Sequence, residues 1–190
     1  MKKVFWLTVV LISTASVFAA GFYMGKKSAA LPAINTYGDF TAKVERMKDG
    51  DTLAFEIFGE EETVRYIGID TPETKHPDKG VECFGPEAAE RSKELVLGKQ
   101  IYFERDNKNR DHHGRLVRYV WAGKEMINEK LVREGFAFAS HVSPNGKYKK
   151  IFEKAEAEAR EAGKGLWSAC KTMAAERISS RNEKRQKRLR

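Results

Sequence analysis

Three short runs rich in β-branched and aromatic residues, 41–46, 52–58 and 63–69, follow one another with little more than Lys48-Asp49-Gly50 and Gly59-Glu60-Glu61 between them. The runs have the length of strands and the separators are turn chemistry, so this part of the chain predicts an antiparallel three-stranded meander. Beyond it the pattern mixes. Gly85-Pro86-Glu87 opens a helix, with Pro86 near its first position and Glu87 in its first turn; Ala88, Leu95 and Val96 share one stripe and Gly98 ends it. Residues 100–104 and 115–121 read as two further strands, followed by a turn at Ala122-Gly123. A second helix over 125–134 points Met126, Ile127, Leu131 and Val132 inward and stops at Gly135. A third over 147–162 gathers Tyr148, Ile151, Phe152, Ala155 and Ala159 on one face.

These elements predict an α+β, β-rich fold: a five-stranded OB-fold Greek-key barrel flanked by three helices. Such a barrel says little about activity by itself, since many only bind. A chain of 190 residues, 41% of them hydrophobic, has the material for one globular domain plus tails. That content excludes a wholly disordered chain, and two cysteines are too few for a disulfide-built miniprotein or a four-cysteine zinc module. The expected divisions are an N-terminal signal or anchor over 1–27, a linker over 28–39, the domain over 40–172 and a basic tail over 173–190.

Of the net charge of +8, four units belong to Lys2, Lys3, Lys26 and Lys27 and six to residues 177–190, which leaves 28–176 at −2. Basicity therefore resides at the ends, and a polyanion site on the domain must be local. Residues 4–25 form a stretch of 22 positions without a charge. As a helix they would span roughly 33 Å, enough for a bilayer core, and Val17-Phe18-Ala19 also offers the small residues that precede a signal cleavage; cleaved signal and retained anchor both stay open. Either reading puts the domain outside the cytoplasm, secreted or periplasmic, or membrane-anchored. From 177 onward only Ile178 and Leu189 are apolar, which predicts a mobile segment or a frayed helix. A solvated tail and contact with nucleic-acid phosphates or anionic lipid are its alternative roles.

Three polar islands carry the chemistry: Asp49-Gly50-Asp51-Thr52, the stretch from Arg65 to Asp70-Thr71-Pro72-Glu73, and Asp111-His112-His113-Gly114-Arg115. The meander makes the first two neighbours, so Asp51 and Asp70 can share one rim of the barrel. Two carboxylates, the Thr71 carbonyl and water are hard oxygen ligands of the kind Ca²⁺ takes, and so few charged ligands imply weak binding. Each island also has a plainer explanation: Asp-Gly-Asp as a tight turn, Asp70 as a cap, Arg65 as a half-solvated strand residue. Together they match one task, hydrolysis of a phosphodiester, in which guanidinium forks clamp phosphate oxygens and a further carboxylate activates water.

Residues 44–167 resemble the staphylococcal nuclease, or thermonuclease, family. The match is close in Asp49-Gly50-Asp51-Thr52, Ile69-Asp70-Thr71-Pro72-Glu73-Thr74-Lys75-His76-Pro77, Gly85-Pro86-Glu87-Ala88, Gly114-Arg115 and Asn128-Glu129-Lys130-Leu131-Val132-Arg133-Glu134-Gly135. The resemblance implies a calcium-dependent nuclease that cuts DNA and RNA on the 5′-oxygen side of phosphorus and leaves 3′-phosphates. It implies Asp51 and Asp70 as metal carboxylates, Thr71 as a carbonyl ligand, Arg65 and Arg115 as phosphate clamps, and Glu73 as the water-activating carboxylate. Lys79 falls where the family often has a basic residue in a loop, an accessory role. The sequence departs from the family at His141-Val142-Ser143, where the type member turns two tyrosines to the nucleotide base: His141 can stack and Ser143 cannot. His112 and His113 replace a lysine and a tyrosine, and His113 is expected in an exposed turn near the phosphate.

Cys83 and Cys170 are the right number for one disulfide in an exported domain, with two buried or free thiols as the alternative. For a closed loop of roughly 86 residues, the chain-entropy contribution is on the order of 4 kcal/mol. The reading is a monomeric nuclease without strong sequence specificity, acting on accessible single strands or frayed duplex. Its rivals are a non-catalytic, membrane-tethered nucleic-acid-binding OB module and an anchored scaffold whose tail recruits DNA.

Overall fold

In the computed structural model, which describes residues 38–57, 59–74, 80–141 and 143–189, the first expected strand is split in two. The segment 1–27, most of the linker and Lys79 lie outside the described residues. β1 (Phe40–Lys43) pairs antiparallel with β6 (Gln100–Glu104), whereas β2 (Arg46–Asp49) pairs antiparallel with β3 (Thr52–Ile57). The hand-over falls on two residues: the Val44 N–H donates to the Lys99 carbonyl at 3.2 Å and the Glu45 N–H to the Ala54 carbonyl at 3.2 Å. β4 (Glu60–Tyr66) continues the antiparallel meander on β3 and runs parallel to β7 (Leu116–Ala122), which pairs antiparallel with β6. The path β1-β6-β7-β4-β3-β2 therefore begins and ends on adjacent pieces of chain, an order consistent with an OB-like fold, although the pairing among the described residues does not close it into the expected barrel. Two small pieces complete the β structure: β8 (Glu125–Met126) on β7, and a separate pair of β5 (Ile69–Asp70) with β9 (Phe138–Ala139).

The fold is α+β with a mostly β core, but among the described residues there are nine strands and five helices rather than five and three. The strand count rises because the first strand bends to serve two partners and because Glu125 and Met126 extend the sheet instead of starting a helix. α1 (Gly85–Val96), α2 (Ile127–Arg133) and α3 (Lys149–Glu161) are the three expected helices. Leu95, Val96, Ile127, Leu131 and Val132 from α1 and α2 meet Leu53, Phe55, Val64, Tyr66, Ile101 and Phe103 of the sheet. Each such side chain contributes about 1.5–3 kcal/mol by leaving water. α3 buries Phe152, Ala155 and Ala159, one helical stripe. Ile151, expected on that face, is 42% exposed, because it stands about 100° round the helix from Phe152. Asn128 is wholly buried and bonded twice: its Oδ1 accepts the Val120 N–H at 2.8 Å and its Nδ2 donates to the Ile67 carbonyl at 2.9 Å.

The two extra helices are α4 (Leu166–Ala169) and α5 (Lys171–Leu189), and the second runs helical and partly packed through the segment expected to be a mobile stretch or a frayed helix. Its docking face begins before residue 177: Ala174 is buried, and Met173 and Ile178 pack against a cluster of Phe138, Ala159, Leu166 and Trp167. Arg177 and Arg181 then pair with acids of the domain, a contribution that apolar content cannot reveal. Among the described residues no helix is long and apolar enough to cross a membrane.

Cys83 and Cys170 form a disulfide with Cα atoms 6.0 Å apart, tying the chain just before α1 to the junction of α4 and α5. Replacing both cysteines by serine should cost about 2–4 kcal/mol, read as a lowered thermal midpoint and as faster proteolysis within α5. Unchanged melting and proteolysis would show that α5 is held without the bond.

A second tie lies at Asp106, whose Oδ2 accepts the Tyr119 hydroxyl at 2.8 Å and the backbone N–H groups of Gly146 at 2.8 Å and Lys147 at 3.1 Å. Burial works to raise its pKa, but these donors and the Asn107 N–H outweigh it and hold the carboxylate below its ordinary range. Since the folded value lies below the unfolded one of about 3.9, the stabilisation is fully present above that pH and is lost as pH falls through the folded value. Urea titrations between pH 5 and pH 2 should therefore show a steeper loss of stability for the parent chain than for Asp106→Asn; parallel curves would remove Asp106 from the acid response.

Candidate active site

The meander places its polar residues through its register. Thr52 of β3 faces Arg65 of β4, and the Tyr66 N–H donates to the Asp51 carbonyl at 2.9 Å, so Asp51 and Arg65 come together at one end of the pair. The β2–β3 register slips between Met47 and Asp49, turning the chain sharply at Gly50. Gly50 is required by proximity: a Cβ there would lie 2.8 Å from Thr71 Oγ1. Gly85 is similar, since its Cβ would lie 2.6 Å from the Glu73 carbonyl oxygen, and this seats the start of α1 on the loop that carries Glu73.

Asp51 is 4% exposed and its Oδ2 accepts the Thr71 N–H at 2.8 Å. Arg65 bridges the two acids, pairing with Asp51 through Nη1 and with Asp70 through Nη2 at 2.8 Å. Burial pushes the Asp51 carboxyl up; Arg65 and the Thr71 N–H oppose this, while Asp70 and Asp49 reinforce it. The parallel pairing of Val64 with Leu116 carries Arg115 to the level of Thr63. Asp111 holds Arg115 in place, accepting its backbone N–H at 3.0 Å and its Nε at 2.7 Å. Among the described residues nothing else engages that guanidinium, so its Nη fork is left for a ligand.

Asp51, Arg65, Glu73, His113 and Arg115 line one cavity of about 640 Å³ together with Lys48, Asp49 and Thr74. Asp70 joins the group through Arg65, and Thr71 through Asp51. His113 donates its N–H to Asp111 at 2.9 Å and its ring lies 3.8 Å from that of His112. His141 lines a separate cavity, beyond the β5–β9 pair. Lys79 lies outside the described residues. Burial first, then the carboxyl of Asp49 and the negative charges of Asp49, Asp51 and Asp70, push Glu73 up to about 7.

Among the described residues no three His, Cys, Asp or Glu side chains gather as a metal cage, so an ion here would rely on two carboxylates with carbonyl oxygen and water. The residues present fit such an ion. Two acids converge on one cation, now the Arg65 guanidinium, and the buried Thr71 Oγ1 beside them has no hydrogen-bond partner. The donor set is all oxygen, which suits a hard divalent cation.

Sequence reasoning gave no site role to three residues, of which it had named only Asp49, in the first polar island. Asp49 accepts the Thr74 hydroxyl at 3.0 Å beside Glu73. Glu82 Oε2 accepts the Glu73 N–H at 3.0 Å and also takes Arg177 Nη2 at 2.7 Å. Arg177, from α5, uses its other nitrogen on Asp70 Oδ2. A signal for Arg177 was present: Arg177, Arg181 and Lys184 are spaced four and three, one face of a helix.

A β-rich OB-type fold with paired acids, a third carboxylate and two arginine forks at one cavity defines the class of metal-assisted phosphodiester hydrolases. The comparisons narrow this class. Residues 63–169 match the family described as staphylococcal nuclease homologue. The chain is 34% identical over 168 residues to the thermonuclease of Staphylococcus hyicus, an alignment covering 88% of this chain and 99% of that one. It is 40% identical over 124 residues to the thermonuclease of Staphylococcus intermedius, covering 65% and 74%. It is 39% identical over 127 residues to endonuclease YncB of Bacillus subtilis (strain 168), covering 66% and 60%. The chain belongs to the staphylococcal nuclease family and is a nuclease.

Arg177→Met should remove two charge-assisted bonds, lowering stability by roughly 2 kcal/mol and the thermal midpoint by about 5 °C. Limited proteolysis should then cut α5 earlier than in the parent. Equal cleavage rates would mean that the apolar face of α5, and not Arg177, holds it down.

Proposed function

We propose that this nuclease is calcium-dependent, hydrolyses DNA and RNA without strong sequence specificity, and leaves 3′-phosphates. The observation that carries the reading is the grouping of Asp51, Arg65, Glu73 and Arg115 on one cavity, with Asp70 joined to it through Arg65. Asp51, Asp70 and Thr71 would hold the ion, which when bound supplies positive charge against the phosphate. Arg115 presents its free Nη fork to phosphate oxygens and neutralises charge that builds on the leaving 5′-oxygen. Arg65, on the same cavity, would add a second guanidinium to the same phosphate. Glu73, raised to about 7 by burial first and by its acidic neighbours second, takes a proton from the attacking water. The lining is charged and small rather than a set of base-edge readers, in keeping with a substrate recognised through its backbone.

Export, as a secreted, periplasmic or membrane-anchored enzyme, is supported by the Cys83–Cys170 bond, since disulfides persist in oxidising surroundings. A monomer is the simplest acting form.

Digestion of denatured DNA by the chain, with added Ca²⁺ and then with chelator, tests the reading. Cutting should need the ion and leave 3′-phosphates. Glu73→Gln should lose about 10²–10⁴-fold in kcat, and Arg115→Lys about 10²-fold or more despite its charge, because an ammonium lacks the paired donors. Near-normal turnover of Arg115→Lys would take Arg115 out of the phosphate site. Folded protein that binds the DNA and leaves it intact would make the chain a binding module.

A further inference from the structure

We propose that the cavity between α3, α5 and the β5–β9 pair is a second polyanion subsite, holding backbone phosphates of a nucleic-acid strand away from the bond being cut. This rests on the nuclease reading and extends it along the substrate. The cavity measures about 820 Å³, and Lys149 of α3 and Arg181, Lys184 and Arg185 of α5 line it together with His141 and one acid, Glu153. Glu153 pairs only loosely with Lys149, at 3.8 Å. Arg181 is fixed, donating to the Ala139 carbonyl at 2.6 Å and to Glu156 Oε2 at 3.0 Å. Lys184 and Arg185 are exposed, and among the described residues their side chains have neither an ion pair nor a hydrogen-bond partner. Three of these four bases come from residues 177–190, which carry +6, and α5 brings them to a concave surface beside Lys149 of a domain whose residues 28–176 sum to −2.

Its position relates it to the active site. Arg177, Arg181 and Lys184 form one stripe along α5, with Arg185 beside it. The stripe starts on Asp70 and runs into the second cavity, and Arg177 and Arg185 are about 12 Å apart along the helix axis, a reach of a few nucleotides. A strand with its scissile phosphate at Arg115 and Arg65 can thus place flanking phosphates there. A membrane is the poorer fit: Met173, Ala174 and Ile178 are already packed against the domain, so these apolar residues of α5 are not available to acyl chains.

The test compares the full chain with Lys184→Gln/Arg185→Gln and with Lys149→Gln. In chelator, the dissociation constant of a fluorescent single-stranded 20-mer and its salt dependence are measured; with Ca²⁺, kcat/KM on a dinucleotide is measured. The α5 double variant should bind the 20-mer about 5–20-fold more weakly and lose about 1.4 from its log–log salt slope, two phosphates' worth. Lys149→Gln should lose about half of that slope, and dinucleotide turnover should stay within twofold in both. Unchanged 20-mer affinity and slope would overturn the subsite, as would an effect confined to the α5 variant with none at Lys149. Loss of binding to phosphatidylserine vesicles with 20-mer binding intact would overturn it in favour of a membrane surface. Should no form cut either substrate while the double variant still loses 20-mer affinity, the proposed reaction fails and the subsite stands.

Discussion

The Arg65 guanidinium between Asp51 and Asp70 is the interaction around which the rest is arranged. Two carboxylates meeting at a partly buried point repel each other and lose hydration, so the fold needs a cation between them. Supplying it from β4 fixes the register of β3 on β4 and requires that β5 be held in place, which its pairing with β9 does. Asp70 has a second oxygen to satisfy, and Arg177 satisfies it from the far end of the chain.

Much of this was legible in the sequence. The meander, α1, α2 and α3 follow from turn residues and apolar spacing, and Asp51, Arg65, Asp70, Glu73 and Arg115 were picked out by residue type before their neighbours were known. What could not be read was anything set by a distant partner. Nothing local marks Val44-Glu45 as a bend; the bend exists because Lys99 and Ala54 claim successive N–H groups. Gly50 reads as a turn residue and Gly85 as the opening of a helix, yet their lack of a side chain matters because Thr71 and Glu73 press against them. Residues 177–190 give little apolar sign that α5 docks, because its apolar contacts lie mostly at Met173 and Ala174 and the rest is ionic: a count of apolar residues is blind to Arg177 and Arg181 finding Asp70, Glu82 and Glu156.

Net charge was a poor guide in the same way. A domain slightly negative overall still presents arginines and lysines where they count, because acids elsewhere are spent on orienting them. Asp111 holds Arg115 by Nε and leaves the fork open, and Glu156 holds Arg181 against the Ala139 carbonyl. Acidic residues here serve as braces for basic ones, so the sum of the two says little about either.

The pairing that brings the arginines together spans a long stretch of chain. Arg65 is opposite Val117, Asp70 opposite Phe138, and Arg177 reaches Asp70 across 107 residues. Contacts of such sequence separation form only after the chain has closed large loops, and synthesis delivers the C-terminal helix last. The candidate groups of the site lie between residues 51 and 115, yet Asp70 gains its second guanidinium only when α5 docks, so the finishing of this acidic corner is a late event in the folding of the chain.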